Sequence, residues 1–251
     1  MSSFNEHLEK ISLTEVLIVI ILSYLLVFSL RFFQIIDIGI VAVNIIVILF
    51  FSLKLKDYSS DLQSDISDIF SAISFREMLM IVILNIFFSY GMLYLSNCIL
   101  QSIPPDSFLF PAKSIGGFAG IFSLVSVVLI SPIGEELIFR GVFLNKLRLF
   151  VPTVFAVLIS SLLFASLHSF GGIISAFVFG ICMAVMYLKT CNILVPILAH
   201  FINNLLSEMI YHMDYVGLLF SNDIAMVFVS GLAVVSFVVL FKFIVSNLKN
   251  I

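Results

Sequence analysis

The sequence predicts an all-α polytopic membrane protein, a bundle of about eight transmembrane helices. Three observations carry that expectation. Hydrophobic residues make up 62% of the chain and charged ones only 11%, with a mean hydropathy of +1.25, well outside the range of soluble globular domains. Charge-free apolar runs recur from one end to the other, most of them near the length that crosses a ~30 Å hydrocarbon core at about 1.5 Å per residue. The breaks between them are short and rich in turn-forming residues.

The runs lie at 16–30, 38–53, 78–103, 114–134, 150–167, 172–188, 191–206 and 224–240. The fourth is expected to continue through a charged patch to about residue 144. Pro104 and Pro105 follow the third run, Pro152 precedes the fifth, Gly171 and Gly172 follow it, and Asn192 with Pro196 opens the seventh, all residues that end or start helices. Such short connections favour a single integral membrane domain over 1–251. The first run is longer than a signal-peptide core and lacks a small-x-small cleavage site, so it is expected to remain as a helix. Between the second and third runs, Asp57, Asp61, Asp65 and Asp68 alternate with Leu62, Ile66, Ile69, Phe70 and Ile73 at helical spacing. That pattern predicts a short amphipathic helix at the membrane interface, either a connector packed on the bundle or a lid over a cavity. Cys98, Cys182 and Cys191 show no metal or disulfide spacing and read as packing residues. No internal repeat of the transporter kind is present.

Basic residues orient the chain. With a cytoplasmic N-terminus, inner segments hold Lys10, Lys54, Lys56, Arg76, Lys146, Arg148, Lys189, Lys242 and Lys249, and outer loops hold Arg31 and Lys113. The positive-inside rule then places a multi-pass protein in the cell membrane with both termini in the cytoplasm. A net charge of −3 offers no basic surface for nucleic acid, so the expected partners are the lipid bilayer and a peptide or protein at the membrane.

Charges inside a span demand a reason, because each costs about 2.5–3.5 kcal/mol near mid-bilayer on insertion scales. The segment SPIGEELIFRG at 131–141 holds three. Glu136 and Arg140 are four apart, acid first, which suits a structural ion pair. Glu135 lies about 100° around the helix and is left over. A partly desolvated carboxylate of that kind is a candidate proton acceptor; the alternative is that all three charges hold helices together. Two further spans carry polar groups: Phe164 and His168 share a face in FASLHSFGG, and His200 and Asn204 share one in AHFINN. A carboxylate, two imidazoles and an amide are the groups that hydrolysis of a peptide bond by activated water needs. Asn203 sits one position off that face and is expected to tolerate change. His7 and His212 fit no such constellation and read as surface residues.

EELIFR at 135–140, FASLH at 164–168 and HFINN at 200–204 resemble the three signature motifs of the CAAX protease and bacteriocin-processing family, also called the Abi family, which includes the Ras-converting CAAX endoproteases. Those motifs read E-E-x-x-x-R, F-x-x-x-H and H-x-x-x-N or D, and the resemblance covers roughly 132–206, inside a core at about 114–212. It implies a glutamate-type intramembrane endopeptidase in which Glu135 with His168 activates water, His200 with Asn204 stabilises the oxyanion, and Glu136 with Arg140 is chiefly structural. It further implies short hydrophobic or membrane-associated peptides as substrates, such as pheromone or bacteriocin precursors, and no cofactor. Zinc held by Glu135, His168 and His200 is the alternative, since two histidines and a glutamate form a known catalytic ligand set. The chain has no H-E-x-x-H, G-x-S-G or G-x-G-D of other intramembrane proteases. A different class also fits the family: a non-proteolytic membrane regulator or immunity protein that binds a sensor kinase or a peptide. A proton-coupled transporter is suggested only by the buried ionisable groups.

Overall fold

A computed structural model of the chain describes residues 3–32, 39–70, 72–100, 122, 124–168, 172–213 and 222–249. Pro104, Pro105, Lys113 and Gly171, and the side chains of Arg31, Asp61, Leu62, Ile73 and Cys98, lie outside the described residues. The described residues form helices and no strand, so the chain is an all-α polytopic membrane protein.

Each of the eight apolar runs is represented by a helix. Preceded by a short helix α1 (Ser3–Lys10), they are α2 (Leu13–Phe32), α3 (Gly39–Leu55), α5 (Ala72–Leu100), a composite α6 over 126–147, α7 (Thr153–Ala165), α8 (Ile173–Thr190), α9 (Leu194–Met213) and α10 (Asp223–Leu248). A 3-10 turn (Lys56–Asp61) leads into the interfacial α4 (Leu62–Ile69). Among the described residues, α5, α8, α9 and α10 are long and apolar enough to cross a membrane alone, and α1 with α2, bent by 78°, adds a fifth candidate. At 17 and 13 residues, α3 and α7 are shorter than a full span. The upstream part of the fourth run lies outside the described residues.

Burial sorts these helices into layers. In α8, 67% of the spanning window is buried, against 22% in α10, so α8 is the central helix of the bundle. Helices α2 and α10 are apolar all round and turn residues such as Phe28, Val227 and Phe228 outward, as lipid-facing helices do. Helix α10 is capped by Asn222, whose Oδ1 accepts from the Ala225 N–H at 3.1 Å. Helix α8 ends where Cys191 adopts a left-handed φ of 51°. Cys182 is buried, but Cys191 is exposed, with its Sγ 3.6 Å from the Leu188 carbonyl.

A polar knot closes one end of the bundle. Asn5 Nδ2 donates to Asp65 Oδ2 at 3.0 Å, Asn192 Nδ2 donates to the Asp65 carbonyl at 2.8 Å, and the Ile193 N–H donates to Asn5 Oδ1 at 2.9 Å. Helices α1 and α4 therefore lie against the turn that starts α9, and Asn192 and Ile193 are buried beneath them. The amphipathic pattern of α4 resolves accordingly: Ile69 and Asp65 face inward while Ile66 and Phe70 face out. His7 is no isolated surface residue, because its ring stacks on Tyr58 at 3.5 Å. The same end holds Lys54 paired with Glu15, Lys189 paired with Glu77, and Lys146 bonded to the Glu9 carbonyl.

Candidate active site

Helix α6 is irregular where its charges sit. An α-helical turn (Ser131–Glu136) lies between two π-helical stretches (Ser126–Ile130 and Leu137–Leu144), followed by a last α-helical turn (Asn145–Leu147). π-Helical turns are rare and recur at functional sites, where the extra residue per turn re-aims side chains.

The expected ion pair forms across the second boundary. Arg140 Nη1 donates to Glu136 Oε1 at 3.0 Å, and both side chains are fully buried. Arg140 Nη2 donates to the Gly180 carbonyl at 3.0 Å, and the guanidinium lies 4.5 Å from the centre of the Phe164 ring. A Cβ at Gly180 would meet Phe164, Ser161 and Arg140 at 3.2–3.3 Å, so a glycine is what allows α8 to approach the arginine. Arg140 thereby ties α6 to both α7 and α8. The pair is not completely satisfied: Glu136 Oε2 and Arg140 Nε have no partner among the described residues.

His200 completes the cluster from α9. Its Nδ1 lies 2.9 Å from Glu136 Oε1, and its Nε2 lies 3.9 Å from Glu135 Oε2. A carboxylate paired with arginine accepts only, so Nδ1 carries the proton in that bond and Nε2 is the nitrogen turned toward Glu135. The imidazole is buried, edge-on to Phe164 and Phe179 at 5.6 and 5.4 Å. Glu135 differs from its neighbour in being open, with 22% of its side chain exposed against 0% for Glu136.

His168 occupies the turn just past α7. Its Nδ1 lies 3.2 Å from the Phe164 carbonyl, so that nitrogen donates and Nε2 has no hydrogen-bond partner among the described residues, and the ring sits 4.9 Å from Phe164. Among the described residues it makes no direct ion pair with either glutamate. Its place resolves a problem of depth. Counted at about 1.5 Å per residue from the start of each helix, His168 would lie about 22 Å in and His200 only about 9 Å. Both rings nevertheless touch Phe164, because α9 begins beneath α1 and α4 rather than at the end of the bundle.

Asn204 is held at both ends of its amide. Its Nδ2 donates to the Val127 carbonyl at 2.9 Å, and its Oδ1 accepts from Asn203 Nδ2 at 3.3 Å. Asn203 Oδ1 in turn accepts from Asn85 Nδ2, on α5, at 2.9 Å. Helical spacing set Asn203 aside and drew no attention to Asn85. The available signal was a lone amide in the middle of an apolar span, a place where polar side chains are costly and need a partner.

No three His, Cys, Asp or Glu side chains among the described residues are arranged to hold a metal ion.

Fold and site define an all-α membrane protein with a buried acid–base cluster assembled from four helices. Residues 117–206, a little over a third of the chain, match the model of a family described as type II CAAX prenyl endopeptidase Rce1-like. The likeness covers the block that holds Glu135, Glu136, Arg140, His168, His200 and Asn204. No curated protein and no solved structure matches the chain.

Proposed function

We propose that the chain is a glutamate-type intramembrane endopeptidase in which Glu135 is the general base. The observation that carries this reading is the unequal fate of two adjacent glutamates: Glu136 is locked between Arg140 and His200, and Glu135 is partly open beside them. A base must reach the proton it removes, and a locked carboxylate cannot.

In the proposed reaction Glu135 takes a proton from water as the oxygen attacks the scissile carbonyl. His168, with Nδ1 committed to a backbone carbonyl, orients that water or the leaving amine through Nε2. The negative charge that develops on the carbonyl oxygen is met by the second N–H of Asn204 and by His200 acting as an imidazolium, with its Nδ1–H on Glu136 and its Nε2–H toward the substrate. The proton held by Glu135 then passes to the leaving nitrogen. No metal is required; full activity after exhaustive dialysis against a strong chelator is the expected outcome, and its loss with recovery on zinc addition would reverse that assignment.

The proposed substrates are short hydrophobic or membrane-associated peptides cleaved near the cytoplasmic face, with both termini proposed on that side by the positive-inside rule. The test is comparative peptidomics of cells carrying the wild-type protein or Glu135→Ala. Peptides that disappear only with the alanine variant are expected. Identical peptide sets beside a phenotype that survives Glu135→Ala would favour a non-proteolytic regulator bound to a membrane partner.

A further inference from the structure

A second polar site lies at the end of the bundle where α6 turns into α7, apart from the acid–base cluster. It is a cavity of about 320 Å³ lined by Glu9, Asn145, Arg148, Leu149 and Thr153. Glu9 comes from α1, Asn145 from the last turn of α6, Arg148 and Leu149 from the connection, and Thr153 opens α7.

These groups carry opposite charges that do not satisfy each other. Among the described residues, the Glu9 carboxylate and the Arg148 guanidinium line one cavity without an ion pair between them or to a third group. Asn145 is only 7% exposed. Its Nδ2 serves the Gly141 carbonyl at 2.9 Å and the Tyr187 hydroxyl at 2.8 Å, while its buried Oδ1 has no donor. A buried acceptor without a donor is costly, which calls for a ligand N–H or O–H. Arg148 lies just ahead of the first turn of α7, whose open amides favour an anion. Beside the opening, Leu149 and Phe150 are 73% and 82% exposed, an apolar pair suited to the acyl boundary of a bilayer.

The cavity thus offers an acidic and accepting seat next to a basic and donating one, with an apolar lip. We propose that it binds the zwitterionic headgroup of phosphatidylethanolamine from the adjoining leaflet, with the ammonium on Glu9 and Asn145 Oδ1 and the phosphate on Arg148 and the start of α7. A phosphatidylcholine ammonium has no N–H for Asn145. Phosphatidylglycerol has no cation for Glu9. The site stands on its own observations and does not depend on the protein being a protease.

Native mass spectrometry of the detergent-purified full chain, titrated with dioleoyl forms of the three lipids, tests it. Wild-type protein is expected to hold phosphatidylethanolamine about tenfold or more tightly than the other two, as one charge-assisted contact more than either would give. Glu9→Gln should bring phosphatidylethanolamine down to the level of phosphatidylglycerol, and Arg148→Gln should weaken both. Glu9→Gln leaves the Lys146 bond to the Glu9 carbonyl in place, and melting in lipid-free detergent checks that both variants are folded. Equal binding of the three lipids by the wild type, or a preference that survives in both variants, overturns the assignment. Binding of soluble phosphoethanolamine without binding of the lipid overturns the bilayer as its source.

Discussion

Nδ1 of His200 bonds Oε1 of Glu136 at 2.9 Å, on the same oxygen that Nη1 of Arg140 reaches at 3.0 Å. One carboxylate therefore joins α6 to α9 as well as to its own next turn. Because that bond occupies Nδ1, Glu136 also decides which nitrogen His200 turns toward Glu135. The residue read as half of a structural pair is in addition the one that orients a histidine, in the way second-layer carboxylates commonly fix imidazole tautomers.

Arg140→Gln is expected to leave Glu136 as a buried charge without its cation, a loss of about 3–5 kcal/mol seen as a lowered melting temperature in detergent. The double variant Glu136→Gln with Arg140→Gln should regain much of this, since replacing a whole buried pair is often close to neutral. Recovery should stop short of wild type because the Arg140 bond to the Gly180 carbonyl is also gone. Cleavage should stay low in the double variant, with His200 less firmly held. Melting of wild type, Glu136→Gln, Arg140→Gln and the double variant in one detergent closes the cycle, and a double variant no steadier than Arg140→Gln alone would refute the pair as the stabilising unit.

Glu135→Gln keeps shape and removes only the carboxylate proposed as the base. Yield and melting temperature are expected within error of wild type, with loss of cleavage for any peptide identified by the peptidomics comparison. Unfolding of this variant would show that Glu135 is structural.

Asn204→Ala removes the proposed oxyanion donor, and loss of such a donor typically costs ~10² to 10³ in rate. Asn203→Ala cuts the amide chain that holds Asn204 from behind, and a smaller loss of roughly tenfold in kcat is expected, as for a donor that is present but less well aimed. Asn85→Ala should resemble Asn203→Ala. Steady-state kinetics on a reporter peptide separates the cases: wild-type kcat in Asn203→Ala would mean that Asn204 needs no such support.

A Cβ at Gly141 would lie 2.8 Å from Leu8 Cδ2, and Leu8 is fully buried. Gly141→Ala is therefore expected to cost about 1–3 kcal/mol by overpacking, and Leu8→Ala about 2–5 kcal/mol by leaving a cavity. Combined, the two should lose less than their sum, because the new methyl takes up part of the vacated space. Additive losses in thermal melts would mean that α1 does not sit on α6 in the membrane.

The membrane class, the eight helical runs, the Glu136–Arg140 pair and the polar groups within the apolar runs were legible without any structure. Each rests on composition or on spacing within one helix, which a sequence displays directly. What lay beyond reach involved two helices or an irregular turn. Periodicity states the angle of Glu135 and His200 around their own axes, but not that α9 faces α6, so the nearness of His200 rather than His168 to both glutamates had no signal. Counting residues from a helix start set the two histidines at different depths; the buried Asn5–Asp65–Asn192 knot, formed from residues 60 and more apart, sinks the start of α9 and removes the mismatch. The π-helical turns around Glu135 and Glu136 escape a count that assumes 3.6 residues per turn. Sequence alone determined which groups are present and which face of a helix each occupies, whereas only packing among helices decided which of them meet, because depth and facing are properties of the bundle and not of any single segment.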